Sequence, residues 1–367
     1  MRRPGASALV ALLLATAGLA SVVASGGPAG AAFTGSNGQI AFVKGSTGGG
    51  QLHVWVTNPD GSGQQDLQAG ATALQALPVW SPDSTKIAFM ELTPSGDTVS
   101  SAGIFVMSKG GSGATKKIDD GWDPSWSPAS VTPGELAYYV RGDTKSDVLV
   151  VDPEHPDTSK NLTNAANGEH NVDPAWSPTD GKVLAFYSDR ASGPGIYTID
   201  PTSSSPSAPT KLFDLTVNID DPDSVEPEWS PDGKKIAYDN GTGGISVFDT
   251  TAAASATNPK VLITEAAHAA WSPDGTKIAV LRGGENGINI FVTGQDGSNP
   301  VNVTKFPDGT FAFDPSWGSA PLAVAQSTTT TTATTTARAG GGTGSTTAAV
   351  PEAKPADPIR TTPRFTG

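Results

Sequence analysis

Residues 228–240 read EWSPDGKKIAYDN, and residues 270–282 read AWSPDGTKIAVLR. Three more copies precede them: VWSPDSTKIAFM at 79–90, SWSPASVTPGELAYYV at 125–140 and AWSPTDGKVLAFYSDR at 175–190. Such self-similarity marks a chain assembled from one repeated supersecondary unit. The repeat tryptophans fall at 80, 126, 176, 229, 271 and 317, spaced by 46, 50, 53, 42 and 46 residues. A further IAFV at 40–43 has no tryptophan before it, and Trp317 has no such strand after it. Those two fragments complete one another.

Each unit also holds two further strand-like runs. Third strands read LHVWVTN (52–58), IFVMS (104–108) or INIFVTG (288–294), and fourth strands TKKI (115–118), KVLIT (260–264) or VNVT (301–304). They are short, rich in β-branched and aromatic residues, and separated by Gly, Pro, Asp or Asn. Four antiparallel strands per 40–50 residues predict an all-β chain, a six-bladed β-propeller of four-stranded antiparallel blades. The orphan fragments predict its closure by pairing of the N- and C-terminal strands, which leaves little exposed sheet edge. Within the phrase, Trp supplies a large apolar plate between blades. Pro presets the first turn position and Gly accepts positive φ. Ala suits a point where sheets approach closely. The phrase is scaffold.

The flanks are different material. Residues 1–32 carry Arg2 and Arg3, the apolar run ALVALLLATAGLA and small residues ending GPAGAA, the pattern of an export signal, with cleavage expected after Ser25, Ala31 or Ala32. Residues 33–319 form the propeller, and residues 320–367, rich in Thr, Gly and Pro, have too few large apolar side chains to offset ordering. The chain has no cysteine, which excludes disulfides and a cysteine-linked lipid. Its formal charge is −13, and without the first segment's two arginines and the tail's four cations and two acids, residues 33–319 carry about −17. Such a surface repels nucleic acid and anionic lipid.

The repeats resemble the TolB-type propeller repeat, Pro-x-Trp-Ser-Pro-Asp-Gly-x-x-Ile-Ala-Phe followed by a strand of the Ile-Tyr-Val-x-Asp kind. PEWSPDGKKIAY (227–238) and PAWSPTDGKVLAFYSDRASGPGIYTID (174–200) carry the likeness, which extends over about residues 37–318. The resemblance implies the fold more than any function, because the repeat serves binding proteins and hydrolase-associated propellers alike. TolB itself has an α/β domain ahead of its propeller, and no such domain is expected between the signal and Gln39. A Gly-x-Ser-x-Gly elbow is also absent.

In this strand order the Ser-Pro-Asp-Gly hairpins share one face. The residue three before each repeat tryptophan should then lie near the opposite, loop-rich mouth. These residues are Leu77, Asp123, Asp173, Glu226, His268 and Asp314. Read sharply, they hold a cation such as Ca²⁺ or a basic partner segment; read plainly, each carboxylate accepts backbone amides in its own turn. Trp122, out of phase with the repeat, is either an exposed stacking platform or tucked over the rim, whereas Trp55 is expected in the core. The acidic run 214–228 is expected to be a solvated loop. The four histidines, at 53, 155, 170 and 268, show no metal-ligand spacing, and no catalytic residues are assigned.

The expectation is a secreted, monomeric, non-catalytic propeller without a required cofactor. It would bind a protein, a peptide or an envelope polysaccharide through an acidic loop face, in the periplasm, at the cell wall or outside the cell. The alternative is a metal-dependent lyase or glycosidase on the same scaffold. Replacing Asp123, Asp173 and Asp314 together by Asn is expected to weaken binding and leave the fold intact.

Overall fold

The structure, a computed structural model, describes residues 30–320 apart from 32, 47–50, 69–70, 96–97, 204–207, 216–224, 253–258, 285–286 and 308. The expected signal, except Gly30 and Ala31, and all of the expected tail except Ala320 lie outside the described residues, as do Asp220, Asp221 and Asp223 of the acidic run.

In chain order, β1 (Gly30–Ala31) is followed by β2 (Asn37–Ser46), β3 (His53–Thr57) and β4 (Gln65–Asp66). An antiparallel sheet then forms from β5 (Leu74–Trp80), β6 (Lys86–Ser95), β7 (Thr98–Ser108) and β8 (Thr115–Asp119). A second comprises β9 (Trp122–Trp126), β10 (Leu136–Arg141), β11 (Ser146–Val151) and β12 (Lys160–Asn161). A third comprises β13 (Asn171–Trp176), β14 (Leu184–Ser188), β15 (Gly195–Ile199) and β16 (Thr210–Asp214). The fourth joins β17 (Glu228–Trp229), β18 (Lys235–Asp239), β19 (Gly244–Asp249) and β20 (Lys260–Thr264), with β1 added parallel to β17. The chain ends in β21 (Ala267–Trp271), β22 (Lys277–Gly284), β23 (Gly287–Gly294), β24 (Val301–Asn302) and β25 (Thr310–Ser319).

The expectation of six like blades is overturned. Four sheets stand as separate blades, while the strands of the last and first repeats run together in one eight-stranded sheet, β21-β22-β23-β25-β2-β3-β4 with β24 beside β23. The weld is a short parallel pairing, Gly287 with Thr310 and Ile288 with Phe311. Gly287 permits it: φ is +143°, and a Cβ there would lie 2.6 Å from the Thr310 carbonyl oxygen. Within this sheet β2 and β25 pair antiparallel from Asn37–Ser319 to Ser46–Thr310, so the two ends of the propeller share one ladder. The innermost strands β5, β9, β13, β17, β21 and β25 are neighbours in that order, and β25 returns to β5, so the sheets stand around a common channel.

The repeated phrase has the local role its chemistry suggests. The Ser230 hydroxyl donates to Asp232 Oδ1 at 2.7 Å and accepts the Lys235 amide at 2.9 Å, while Gly233 takes φ +67°. Ser272, Asp274 and Lys277 repeat the arrangement. The six repeat tryptophans are at most 6% exposed, and the alanines at 41, 88, 137, 185, 237 and 279 are fully covered where sheets pack. Trp55 departs from expectation: it is only partly buried, with Lys44 Nζ 4.0 Å from its ring centroid. No helix among the described residues is long and apolar enough to cross a membrane.

Trp176 is fully buried among Tyr187, Tyr197 and their neighbours. Trp176→Ala is expected to lower the unfolding free energy by about 3–5 kcal/mol, measured by urea denaturation.

Candidate functional site

The six residues placed three before the repeat tryptophans share a backbone feature that their side chains do not advertise. Leu77, Asp123, Asp173, Glu226, His268 and Asp314 all have φ between +46° and +53°. At five of the six, all but Glu226, which lies just ahead of β17, the register with the neighbouring strand slips at this point, for example between Val172 and Ala175 and between Ala267 and Ala270. These are β-bulges, which re-aim a residue and take its N–H out of the ladder. Proline follows in every case but His268. A proline there has no amide to offer the ladder, so an interrupted ladder is its natural place.

The freed amides find carboxylates across sheet boundaries. The Glu226 N–H donates to Asp173 Oδ2 at 3.1 Å, and the Leu77 N–H donates to Asp314 Oδ2 at 3.1 Å. The His268 N–H donates to Asp239 Oδ1 at 3.0 Å. Thus the plain reading holds in altered form: Asp173 and Asp314 cap the bulge of the next sheet rather than their own turn. Asn in their place keeps an oxygen that can accept each amide but gives up the charge, so a cost in stability is expected beside any effect on binding. The Asp123 N–H faces Met90 Sδ at 3.4 Å.

The same geometry gathers a buried charge cluster. His268 Nδ1 lies 3.0 Å from Asp314 Oδ1 and 3.4 Å from Glu226 Oε2. Asp239 closes the group beneath the His268 amide. Burial alone would lower the imidazole pKa, but Glu226, Asp314 and Asp239 outweigh it and lift His268 to about 10. Burial pushes Asp239 up to about 7 against the opposing pull of His268. It pushes Glu226 well above the carboxylate range, with repulsion from Asp239, Asp314 and Asp173 added and His268 opposing. At neutral pH one imidazolium faces acids that are partly neutralised, so the channel wall is far less anionic than its formal count.

The donors Glu226, Asp239 and His268 offer ligand atoms within 4.8 Å of one another. One imidazole and two carboxylates suit a transition metal ahead of calcium, which takes six to eight oxygens. His268 Nδ1 is already committed to carboxylates, whereas Glu226 Oε1 is buried without a hydrogen-bond partner. The other histidines lie apart from this group: His53 meets Asp66 at 3.0 Å, His155 meets Asp152 at 2.8 Å, and His170 meets Ser146 Oγ at 3.2 Å.

Asp239 escaped the sequence reading because it belongs to a second strand. One signal could have found it. Two residues past the central alanine, the six copies carry Val43, Met90, Tyr139, Tyr187, Asp239 and Leu281, and only one of these is charged. Trp122 is tucked at the rim, stacked on Tyr139 at 6.3 Å with the Arg141 guanidinium 4.1 Å from its ring centroid. At the hairpin end, β1 lies beside β9, β13 and β17, and Phe33 sits with Trp80, Trp126 and Trp317 around a cavity of about 20 Å³. Gly30, Ala31 and Phe33 thus lie at that end of the channel.

The chain matches the TolB beta propeller domain over residues 31–320 and belongs to that family. Among solved structures it is similar to TolB from Acinetobacter baumannii, with TM-score 0.58 and 20% identity, covering 77% of this chain and 67% of that one. Hydrazine synthase from Kuenenia stuttgartiensis gives TM-score 0.58 at 14% identity over 77% and 47% of the two chains. A chain of a nidogen/laminin complex gives 0.54 at 10% identity over 77% and 98%. At these identities the likeness shows the fold alone. Comparison with curated proteins gives no match.

Two outcomes follow from the cluster. The native state keeps the Asp239 proton to about pH 7 and the His268 proton to about pH 10, whereas the ordinary values are 3.8 and 6.5. Stability is therefore expected to fall as pH rises across that window, by up to about 1.4 kcal/mol per pH unit for each extra proton held. His268→Gln should flatten the branch between pH 7 and 10 in a pH series of urea melts. Asp314→Asn, which weakens both the Leu77 amide bond and the imidazolium pair, is expected to cost about 2–4 kcal/mol at neutral pH in the same assay.

Proposed function

We propose that this chain is an exported, non-catalytic binding propeller that holds a segment of another protein at the end of its channel opposite the hairpins. The observation that carries this is the wall itself. Six inner-strand positions are fixed in one unusual backbone conformation, several are tied to the next sheet, and one carboxylate oxygen, Glu226 Oε1, is buried without a partner. A preorganised polar wall loses little entropy when a ligand docks. At the hairpin end Phe33, the first residue after the expected signal, packs with Trp80, Trp126 and Trp317, which favours the opposite end for the ligand. One similar solved chain comes from a complex of two proteins, nidogen and laminin, which favours a protein partner over an envelope polysaccharide. Export is inferred from Arg2, Arg3 and the apolar run behind them.

One observation favours a second reading, the metal-dependent lyase: Glu226, Asp239 and His268 come close enough to share an ion. The two readings separate in a single preparation. The full exported chain, immobilised and challenged with a cell-envelope extract, is expected to retain a protein that Trp122→Ala, at the rim of that end, releases at least about tenfold more readily. Lys109→Gln, next to a hairpin on the other face, should change nothing. Retention indifferent to Trp122→Ala would place the ligand elsewhere. An equimolar transition metal together with turnover of acidic oligosaccharides would replace this reading by the lyase.

A further inference from the structure

The acidic side chains expected on the binding face lie inside the wall, and at that end a set of ring-braced cations stands among exposed acids such as Asp120, Asp143 and Glu265. Second strands run from the hairpins towards the open end, and cations recur where four of them finish. Lys44 pairs with Ala312 near the start of β25, and Arg141 closes β10. Arg190 follows β14 just beyond the Ser188–Asn171 pair, and Arg282 follows the Leu281–Ala267 pair. Each cation is braced by an aromatic ring. Lys44 Nζ lies 4.0 Å from the Trp55 centroid, and the guanidinium carbons of Arg141 and Arg190 lie 4.1 Å from Trp122 and 4.9 Å from Tyr197. Arg282 lies 6.0 Å from Phe291.

Among the described residues no carboxylate is in ion-pair contact with Lys44, Arg190 or Arg282, although residues 33–319 carry about twice as many acids as bases. Arg190 donates to Asn171 Oδ1 at 2.6 Å and Ser188 Oγ at 3.0 Å, both neutral. Among the described residues Arg282 donates only to the Thr264 carbonyl at 3.3 Å, and its buried Nε has no hydrogen-bond partner there. A guanidinium held against a ring with a donor to spare is built to receive an oxyanion.

We propose that the open end of the channel binds an anionic polypeptide segment whose carboxylates meet Lys44, Arg190 and Arg282. This rests on the reading of that end as the binding face and reverses the sign of partner that composition suggests. A peptide fits better than an acidic sugar. Sugars stack on free aromatic faces, and the rings of Trp55, Trp122 and Tyr197 at this rim already carry cations.

The test uses the full chain with fluorescein-labelled hexaglutamate, hexalysine and a carboxylated oligosaccharide, read by fluorescence anisotropy. Hexaglutamate is expected to bind, and more weakly as salt is raised. Arg190→Gln and Arg282→Gln should each weaken it about fivefold or more, with Arg282→Lys recovering much of the loss and Lys109→Gln neutral. Thermal melts confirm that each variant is folded, and Arg282→Gln, which gives up one hydrogen bond, is the decisive one. Failure of hexaglutamate to bind at low salt, or indifference to Arg282→Gln, overturns the proposal, and so does preference for hexalysine or for the oligosaccharide. Hexalysine binding that Glu226→Gln abolishes would keep the open end as the binding face and refute only the sign of the partner.

Discussion

The architecture depends on a bond between neighbouring sheets: a carboxylate on one inner strand accepting the amide of a bulged residue on the next. Holding a residue with a side chain in the left-handed region costs about 1–2 kcal/mol, and the amide it pulls out of the ladder must be satisfied elsewhere. Asp173 does this for Glu226, Asp314 for Leu77 and Asp239 for His268. Charge-assisted bonds of this kind are about twice as strong as neutral ones, enough to offset the strain. A second stitch runs beside them, from the Trp176 amide to Ser125 Oγ and from the Trp80 amide to Ser316 Oγ. Sheets that bury only apolar plates against each other are thereby fixed in angle and height.

Burying acids to make these bonds has an electrostatic consequence. Three carboxylates around one imidazole cannot all stay charged away from water, so Glu226 and Asp239 move towards neutrality while His268 becomes a resident cation. Part of the acidity of the inner wall is thereby damped. Beside it, ring-braced cations stand at the ends of second strands among exposed acids such as Asp143 and Glu265. Net charge is a sound guide to long-range behaviour and a poor one to a site a few residues wide.

What the sequence made legible was whatever is decided locally. The Trp-Ser-Pro phrase, the alanine strand behind it, the four-strand unit and the N- and C-terminal ladder were all readable, because turn chemistry and alternation act over a few residues. The independence of the blades was not. It hinges on Gly287, whose missing side chain lets β25 approach β23. The positions of Asp123, Asp173, Glu226, His268 and Asp314 were found from repeat phase alone. Their role was not, since a bulge that exports an N–H to another sheet leaves no local pattern beyond the proline after it. Asp239 joins His268 only across a sheet boundary, and Trp55 and Trp122 could not be placed without knowing which cation would cover each ring.

The claim that a buried imidazolium balances the inner carboxylates is tested most directly by following the His268 ring resonance through a pH titration by NMR. His268 is expected to stay protonated past pH 8 and to release its proton near 10. A midpoint near the ordinary value of 6.5 would contradict it.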